Sequence, residues 1–300
     1  MNDMNDLHAS IEADFLVIGA GIAGASAAYF LAPHGRVAVL ERESQPGYHA
    51  TGRSAALFAA AYGNPQVRAL TRASRAFLES PPPGFAEHPL MTPRGALFVA
   101  APGQEARLDA EWSALQRDSP APPPPDDPLA AARTPQRLDA AATLARLPVL
   151  RPDRVVGGIA DPDASDLDVH ALHQGFLRGL RAHGGTLACD AGVESLRREG
   201  GASGLWIARA GGRSYRAPIV LDAAGAWADE VAVLAGVRPI GVQPRRRSAF
   251  VFAPPPGVDI AAWPLAIGIA EDWYFKPDAG ALLGSPANVD PVPAHDVAPE

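Results

Sequence analysis

At 300 residues, 47% of them hydrophobic and 20% charged, the chain can bury a sizeable core and fill two ordinary domains, which excludes global disorder. Its 33 acidic and 26 basic residues leave a net charge of -7, so neither nucleic acid nor an anionic lipid surface is expected as a partner. The single cysteine, Cys189, excludes an internal disulfide and any multi-cysteine zinc or iron–sulfur centre.

Met1–Ser10 carries Asp3 and Asp6 and no Lys or Arg, the opposite of a secretory leader's basic start. The long uncharged run Phe15–Pro33 contains Gly19, Gly21 and Gly24, which suit a strand–turn–helix better than a membrane span. No transmembrane segment is expected, and the expected compartment is the cytosol.

Asp14–Ile18 reads as a strand buried on both faces, Ala25–Ala32 as a helix stopped near Pro33 and Gly35, and Arg36–Leu40 as a second buried strand: a βαβ unit. Glu43–Ala61, rich in Gly, Ser, Thr and Ala, reads as a functional loop. Asn64-Pro65 supplies an N-cap and first-turn proline for a helix that stops at Pro81-Pro82-Pro83. Ala96–Ala100 is predicted as a strand, Gln104–Arg117 and Pro135–Leu147 as helices, and Ser119–Pro128 as a stiff proline-rich linker. Asp168 should cap a helix over Val169–Ala182, ended by Gly184-Gly185. Strand-like runs follow at Thr186–Cys189, Val193–Arg197, Leu205–Ala208, Tyr215–Ala217 and Ile219–Leu221. Ala223–Trp227 turns into a short helix, and Arg247–Phe252 and Trp273–Lys276 read as strands, the latter reversing at Pro277-Asp278-Ala279-Gly280 into Ala281–Gly284. Asp161, Asp163, Asp166 and Asp168 lack the spacing and central glycine of a calcium loop, so they are read as turns and a cap, with no metal expected.

Gly19-Ala-Gly21-Ile-Ala-Gly24 between a buried strand and an alanine-rich helix has the form of a dinucleotide-binding turn. Gly19 permits the tight turn, Gly21 the approach of a pyrophosphate, and Gly24 the close packing of helix on strand. The helix start offers free N–H groups and a partial positive charge to phosphates. Glu41, ending the next strand, is placed to accept from ribose hydroxyls, and its charge argues against NADP. The alternative is a glycine-rich turn in a non-binding fold. The turn itself does not separate NAD from FAD. The small polar loop Gly47–Ala56, with Arg53 and Ser54, favours a flavin, because an NAD dehydrogenase would continue into a crossover helix.

Taken together, Gly19–Gly24, Glu41-Arg42, Thr51–Ala56 and Ala223–Trp227 resemble the FAD-dependent D-amino-acid oxidase superfamily. Tyr62-Gly63, Pro65–Leu70, Leu172–Gly175, Arg246–Phe250 and Lys276–Gly280 are most similar to its bacterial D-arginine dehydrogenase branch. The resemblance implies an α/β fold: a Rossmann-like FAD-binding domain (11–95 and 150–236) interleaved with a mainly antiparallel substrate-binding domain (96–149 and 237–300). It implies a noncovalent FAD held by Gly19, Gly21, Ala23, Gly24, Glu41, Arg42, the loop Ala50, Thr51, Gly52, Arg53, Ser54, Ala55, Ala56 and Leu57, and by Val193 and Gly225. It also implies hydride transfer from the Cα of a D-amino acid to the flavin, giving an imino acid and then a 2-oxo acid and ammonia.

By the same resemblance, Arg247 meets the substrate carboxylate, Tyr274 faces the substrate and Tyr62 lids it. Arg245–Arg247 is alternatively a solvated basic edge. No dedicated catalytic base is expected, and His49 is read as structural. Two departures stand out. Where the arginine-selective relatives carry an acidic residue after Pro93-Arg94, Ala96 stands here, which favours apolar or neutral D-amino acids over D-arginine, the alternative being that Glu87, Glu271 or Asp272 meets a cationic side chain instead; a histidine on the flavin side is replaced by Leu57. The family also continues beyond the point matching Glu300, so a fragment or truncation is expected. The competing functions are a non-catalytic FAD-binding remnant and a glycine, sarcosine or 2-hydroxy-acid oxidase of the same superfamily. The electron acceptor is left unassigned, a quinone or similar, with peripheral association at the inner membrane open.

Overall fold

The computed structural model describes residues 10–118, 133–201 and 204–298. The expected linker Ser119–Pro128 lies outside the described residues. Among the described residues there are six α-helices: α1 (Ile22–Leu31), α2 (Pro65–Glu79), α3 (Glu105–Asp118), α4 (Ala140–Arg146), α5 (Val169–Ala182) and α6 (Ala228–Leu234).

The fold is mixed α/β. A four-stranded parallel sheet runs Thr186–Ala188, Val37–Leu40, Phe15–Ile18, Ile219–Asp222. Its two central strands are apolar at every position because both faces are covered. Leu16, Ile18, Ala38 and Leu40 pack against Leu196, Ala208 and Tyr215 of an antiparallel meander. Val17, Val37 and Val39 pack against Ala28 of α1 and Leu180 of α5. Asp168 caps α5 by accepting from the Ala171 N–H at 2.7 Å, as its position before an apolar run predicts.

The second main element is a seven-stranded sheet in the order Phe250–Phe252, Ala281–Ser285, Tyr274–Asp278, Leu265–Gly268, Ala96–Ala100, Gly157–Asp161, Gln136–Asp139. Every pairing in it is antiparallel except Leu265–Gly268 with Ala96–Ala100. One face buries Ala96, Phe98, Ile159 and Ile267, and the other Leu97, Val99, Ala160 and Ala266, the period-2 alternation of a sheet covered on both sides. A small sheet of Leu57–Phe58, Ser165–Leu167 and Met91–Pro93 joins the two main sheets. The predicted hairpin at Pro277–Gly280 forms, with Ala279 at φ +48° and Gly280 at φ +83°, the left-handed pair of a two-residue reversal.

Three expectations need correction. Pro135–Leu147 is not one helix: Gln136–Asp139 pairs with Gly157–Ala160, and the helix starts only where the Asp139 side chain accepts from the Ala142 N–H at 2.8 Å. Arg247–Phe252 is not one strand: the Ser248 N–H is taken by Asn288 Oδ1 at 2.8 Å, so the ladder begins at Phe250. The strands Gly157–Asp161 and Leu265–Gly268 were not foreseen, since glycine at their ends masked short buried runs.

Candidate functional site

The glycine turn forms as its spacing requires. Gly19 sits at φ +99°, and a Cβ there would lie 2.4 Å from the Ala223 carbonyl oxygen. A Cβ on Gly24 would fall 1.9 Å from the Gly19 carbonyl oxygen, so α1 can leave the strand at this angle only with glycine there. Gly21 is the N-cap of α1 and has no side chain to cap it; the Ile22 N–H instead donates to Thr51 Oγ1 at 2.9 Å. Ala23 lies in the first turn, exposed.

Beside this helix start is a cavity of about 540 Å³, a size typical of ligand sites. Of the residues expected to hold the cofactor, Gly19, Gly21, Glu41, Arg42, Ala50, Thr51, Val193 and Gly225 line it. Glu41 is buried, accepting from the Ala20 N–H (2.8 Å, Oε2) and the Glu43 N–H (3.0 Å, Oε1). A carboxylate has about four acceptor sites, so two remain for hydroxyl donors. Arg42 lies over the Trp227 ring, 4.5 Å from its centroid. A helix opening, a glycine at its N-cap and a buried carboxylate across the cavity together fit a nucleotide diphosphate.

The loop after the second strand leaves that cavity and runs to the small joining sheet. The Gly52 N–H donates to the Gly47 carbonyl at 2.8 Å, and Ser54 Oγ accepts from the Ala56 N–H at 3.0 Å. Arg53 stacks on Tyr48 and donates to the Val297 carbonyl at 2.7 Å. Ala55 is half-buried, Ala56 adopts φ +47°, and Leu57 enters the ladder opposite Asp166.

Three of the four expected substrate residues meet Leu57 in one cluster on the seven-stranded sheet. Tyr62, Tyr274 and Leu57 pack on the core of Ala96, Phe98, Ile159 and Ile267. The fourth, Arg247, is exposed; its Nε donates to the Asn288 carbonyl at 3.4 Å, and its charge acts on the Tyr62 hydroxyl. Tyr62 also donates to Glu271 Oε2 at 3.2 Å. Burial, then the Glu271 charge, pushes the Tyr62 phenol above its usual range, against the pull of Arg247, so the hydroxyl stays protonated. Ala96, buried beneath, brings no charge.

Beneath the cluster, Lys276 is 5% exposed and lies on the same strand face as Tyr274. Its Nζ is 2.8 Å from Asp166 Oδ1, and Arg94 Nε donates to Asp166 Oδ2 at 2.7 Å. Asp166 stands opposite Leu57, so this partly buried network ties the strand of Tyr274 to the loop of Leu57. Sequence reasoning missed it, although Lys276 and Asp166 were both in view, because nothing local shows that they meet. It also missed His173, buried in α5 with Nε2 2.8 Å from the Ala20 carbonyl, and the hydrogen bond to Glu271. His49 pairs with Glu43 at 2.9 Å and packs on Trp227, beside the nucleotide cavity.

No helix among the described residues is long and apolar enough to cross a membrane. A family model described as FAD dependent oxidoreductase matches residues 14–299. Glycine oxidase from Geobacillus kaustophilus superposes with a TM-score of 0.70 at 20% identity, over 92% of this chain and 71% of that one. L-alpha-glycerophosphate oxidase from Mycoplasma pneumoniae with FAD bound gives 0.77 at 16%, over 91% and 71%. Iminodiacetate oxidase from Chelativorans sp. gives 0.67 at 27%, over 90% and 70%. Dimethylglycine dehydrogenase of Rattus norvegicus is 31% identical over 90 residues, which is 30% of this chain and only 10% of that much longer protein. With the glycine corner, its cavity and the family match in agreement, the chain belongs to the FAD-dependent oxidoreductases of the DAO family, and its cofactor is FAD.

Proposed function

We propose that this oxidoreductase dehydrogenates D-amino acids, with apolar or neutral side chains preferred over D-arginine. The observation that carries the reading is the packing of Tyr62, Tyr274 and Leu57 with the uncharged Ala96 in one cluster, with the charge of Arg247 acting on the Tyr62 hydroxyl. Arg247 holds the substrate carboxylate by two parallel N–H donors. Tyr62, its single O–H given to Glu271, closes over the site with its ring. Tyr274 and the apolar floor exclude water and accept an apolar side chain. FAD, when bound, accepts the hydride from the substrate Cα. The imino acid so formed is hydrolysed by water to a 2-oxo acid and ammonia. The bound amine gives its extra proton to water before the hydride leaves, so no side chain is needed as a base.

In this reading Gly19, Gly21, Ala23 and Gly24 at the opening of α1 would hold the pyrophosphate, Glu41 and Arg42 would hold the ribose, and Val193 and Gly225 would border the adenine end. The loop Ala50–Leu57, with Thr51, Gly52, Arg53, Ser54, Ala55 and Ala56, would run along the flavin. Residues 11–95 and 150–236 form the cofactor domain, lending the strand Gly157–Asp161 to the substrate sheet, and 96–149 and 237–300 form the substrate domain. The setting of this reading is cytosolic.

Anaerobic mixing of the FAD-loaded chain with paired D- and L-amino acids tests this. D-Leu, D-Met and D-Phe should bleach the flavin, and Arg247→Ala should cut kcat/KM about a hundredfold, or about 2.7 kcal/mol, while flavin stays bound. A hundredfold preference for D-Arg overturns the side-chain assignment, and bleaching by L-forms alone overturns the chirality. Glycine oxidase and dimethylglycine dehydrogenase among the relatives favour a second reading, oxidation of glycine or its N-methyl derivatives. Bleaching by sarcosine with D-Leu inert would select it, and flavin binding with no bleaching by any substrate would mark a non-catalytic remnant.

A further inference from the structure

We infer that Glu271 is the counter-charge for the substrate's ammonium group, so that the site recognises a zwitterion. This rests on the amino-acid reading above. Tyr62 is acted on by one cation and one anion: its hydroxyl donates to Glu271 Oε2 at 3.2 Å and feels the charge of Arg247. Among the described residues Glu271 Oε1 makes no hydrogen bond, which leaves it available to a donor on the ligand. A bound α-amino acid presents its carboxylate and ammonium groups on one carbon, so a ligand whose carboxylate sits on Arg247 carries its ammonium within reach of the neighbouring carboxylate.

The backbone fixes that carboxylate in place. Glu271 adopts φ +57°, a left-handed conformation that a non-glycine residue keeps only where its surroundings enforce it. Its N–H donates to the Gly268 carbonyl at 2.7 Å. A Cβ on Gly268 would lie 2.3 Å from Asp272 Oδ1 and 2.7 Å from Trp273 Nε1, so the turn is closely packed.

The charge count favours this role. The adjoining cavity is also lined by Glu111, Arg117 and the ion-paired Arg68 and Asp118, which together sum to zero. Arg247 and Glu271 are therefore the pair to be matched. A neutral amino acid matches both charges. A substrate bearing a side-chain carboxylate or cation brings a charge for which neither this pair nor Ala96 has a partner.

The test uses the full FAD-loaded chain and follows the flavin absorbance in anaerobic titrations with D-leucine and with 4-methylpentanoate, its analogue lacking the amine. Glu271→Gln should raise the dissociation constant for D-leucine about tenfold or more, while that for 4-methylpentanoate stays within about twofold or falls. Glu271→Asp, which keeps the charge, should recover part of the D-leucine affinity. Equal loss for both ligands, or an unchanged ratio, overturns the inference. If wild type binds D-leucine without bleaching, the substrate reading fails, yet the ratio of the two dissociation constants still decides the role of Glu271. A melting temperature unchanged in Glu271→Gln separates lost recognition from lost folding.

Discussion

The nucleotide corner and the substrate cluster are built on opposite plans. The corner is local: Gly19, Gly21 and Gly24 fall within one turn, and Glu41 ends the next strand. Its geometry is fixed by backbone approaches that admit no side chain. The cluster is assembled at long range, from Tyr62 just before α2, Arg247 and Glu271 in separate loops, and Tyr274 on the strand after Glu271. Side-chain hydrogen bonds and one partly buried charge network hold it together. A binding feature made of backbone should fail all at once when altered, and one made of side chains should fail in graded, separable ways.

Gly24→Val probes the first half of that contrast and should have the largest effect. Its Cβ would lie within bonding distance of the Gly19 carbonyl oxygen. We expect loss of bound flavin and more than about 4 kcal/mol of stability, read by flavin content after gel filtration and by thermal melting. Asp166→Asn comes next. It leaves Lys276 and Arg94 without their shared carboxylate, which should cost about 3–5 kcal/mol. Adding Lys276→Met should recover much of that loss, because a buried cation no longer has to be neutralised. No recovery would show that the network does not act as a unit.

Asp161 adds a pH dependence to the substrate half. It is 1% exposed, and burial pushes its carboxyl up to about 6 from 3.8, despite hydrogen bonds from the Ala61 N–H at 3.3 Å and the Asp163 N–H at 3.1 Å. Asp163 and Arg75 are the charged groups that act on it, and Arg75 and Arg133 are in turn paired with Asp163. The folded state binds this proton more tightly than the unfolded one, so its contribution favours folding most below pH 3.8 and is lost as pH rises through about 6. The span is at most about 3 kcal/mol. Asp161→Asn should flatten stability over that window in urea titrations at fixed pH values; an unchanged slope would assign the dependence elsewhere.

The same contrast explains what was legible in the sequence. The βαβ unit, the caps at Asn64 and Asp168 and the Pro277–Gly280 reversal could be read directly, because each depends on neighbours a few residues away. The strands Gly157–Asp161 and Leu265–Gly268 could not, since what makes them strands is pairing with Ala96–Ala100. Tyr62, Arg247 and Tyr274 were reached only through family resemblance, and Glu271 as a partner of Tyr62 through no motif at all. The separation of Tyr62 from Glu271 along the chain leaves no periodicity to detect; only the turn at Gly268–Glu271 brings them to 3.2 Å.

The smallest expected effect lies where the two plans meet. Asn64 caps α2 by accepting from the Val67 N–H at 2.9 Å, one residue after Gly63 at φ +86° and two after Tyr62. The cap is local, like the glycine corner, yet it fixes where the chain delivers a residue of the long-range cluster. Asn64→Ala should cost about 1 kcal/mol, seen as a fall of roughly 2–4 °C in Tm, with flavin content unchanged. If the cap also positions Tyr62, the KM for a D-amino acid should rise while kcat holds, and Asn64→Asp, which keeps an acceptor oxygen, should restore both Tm and KM. A Tm loss with KM untouched would show that the cluster tolerates fraying of the helix that follows Tyr62, and that Arg247 and Glu271, rather than α2, hold the tyrosine in place.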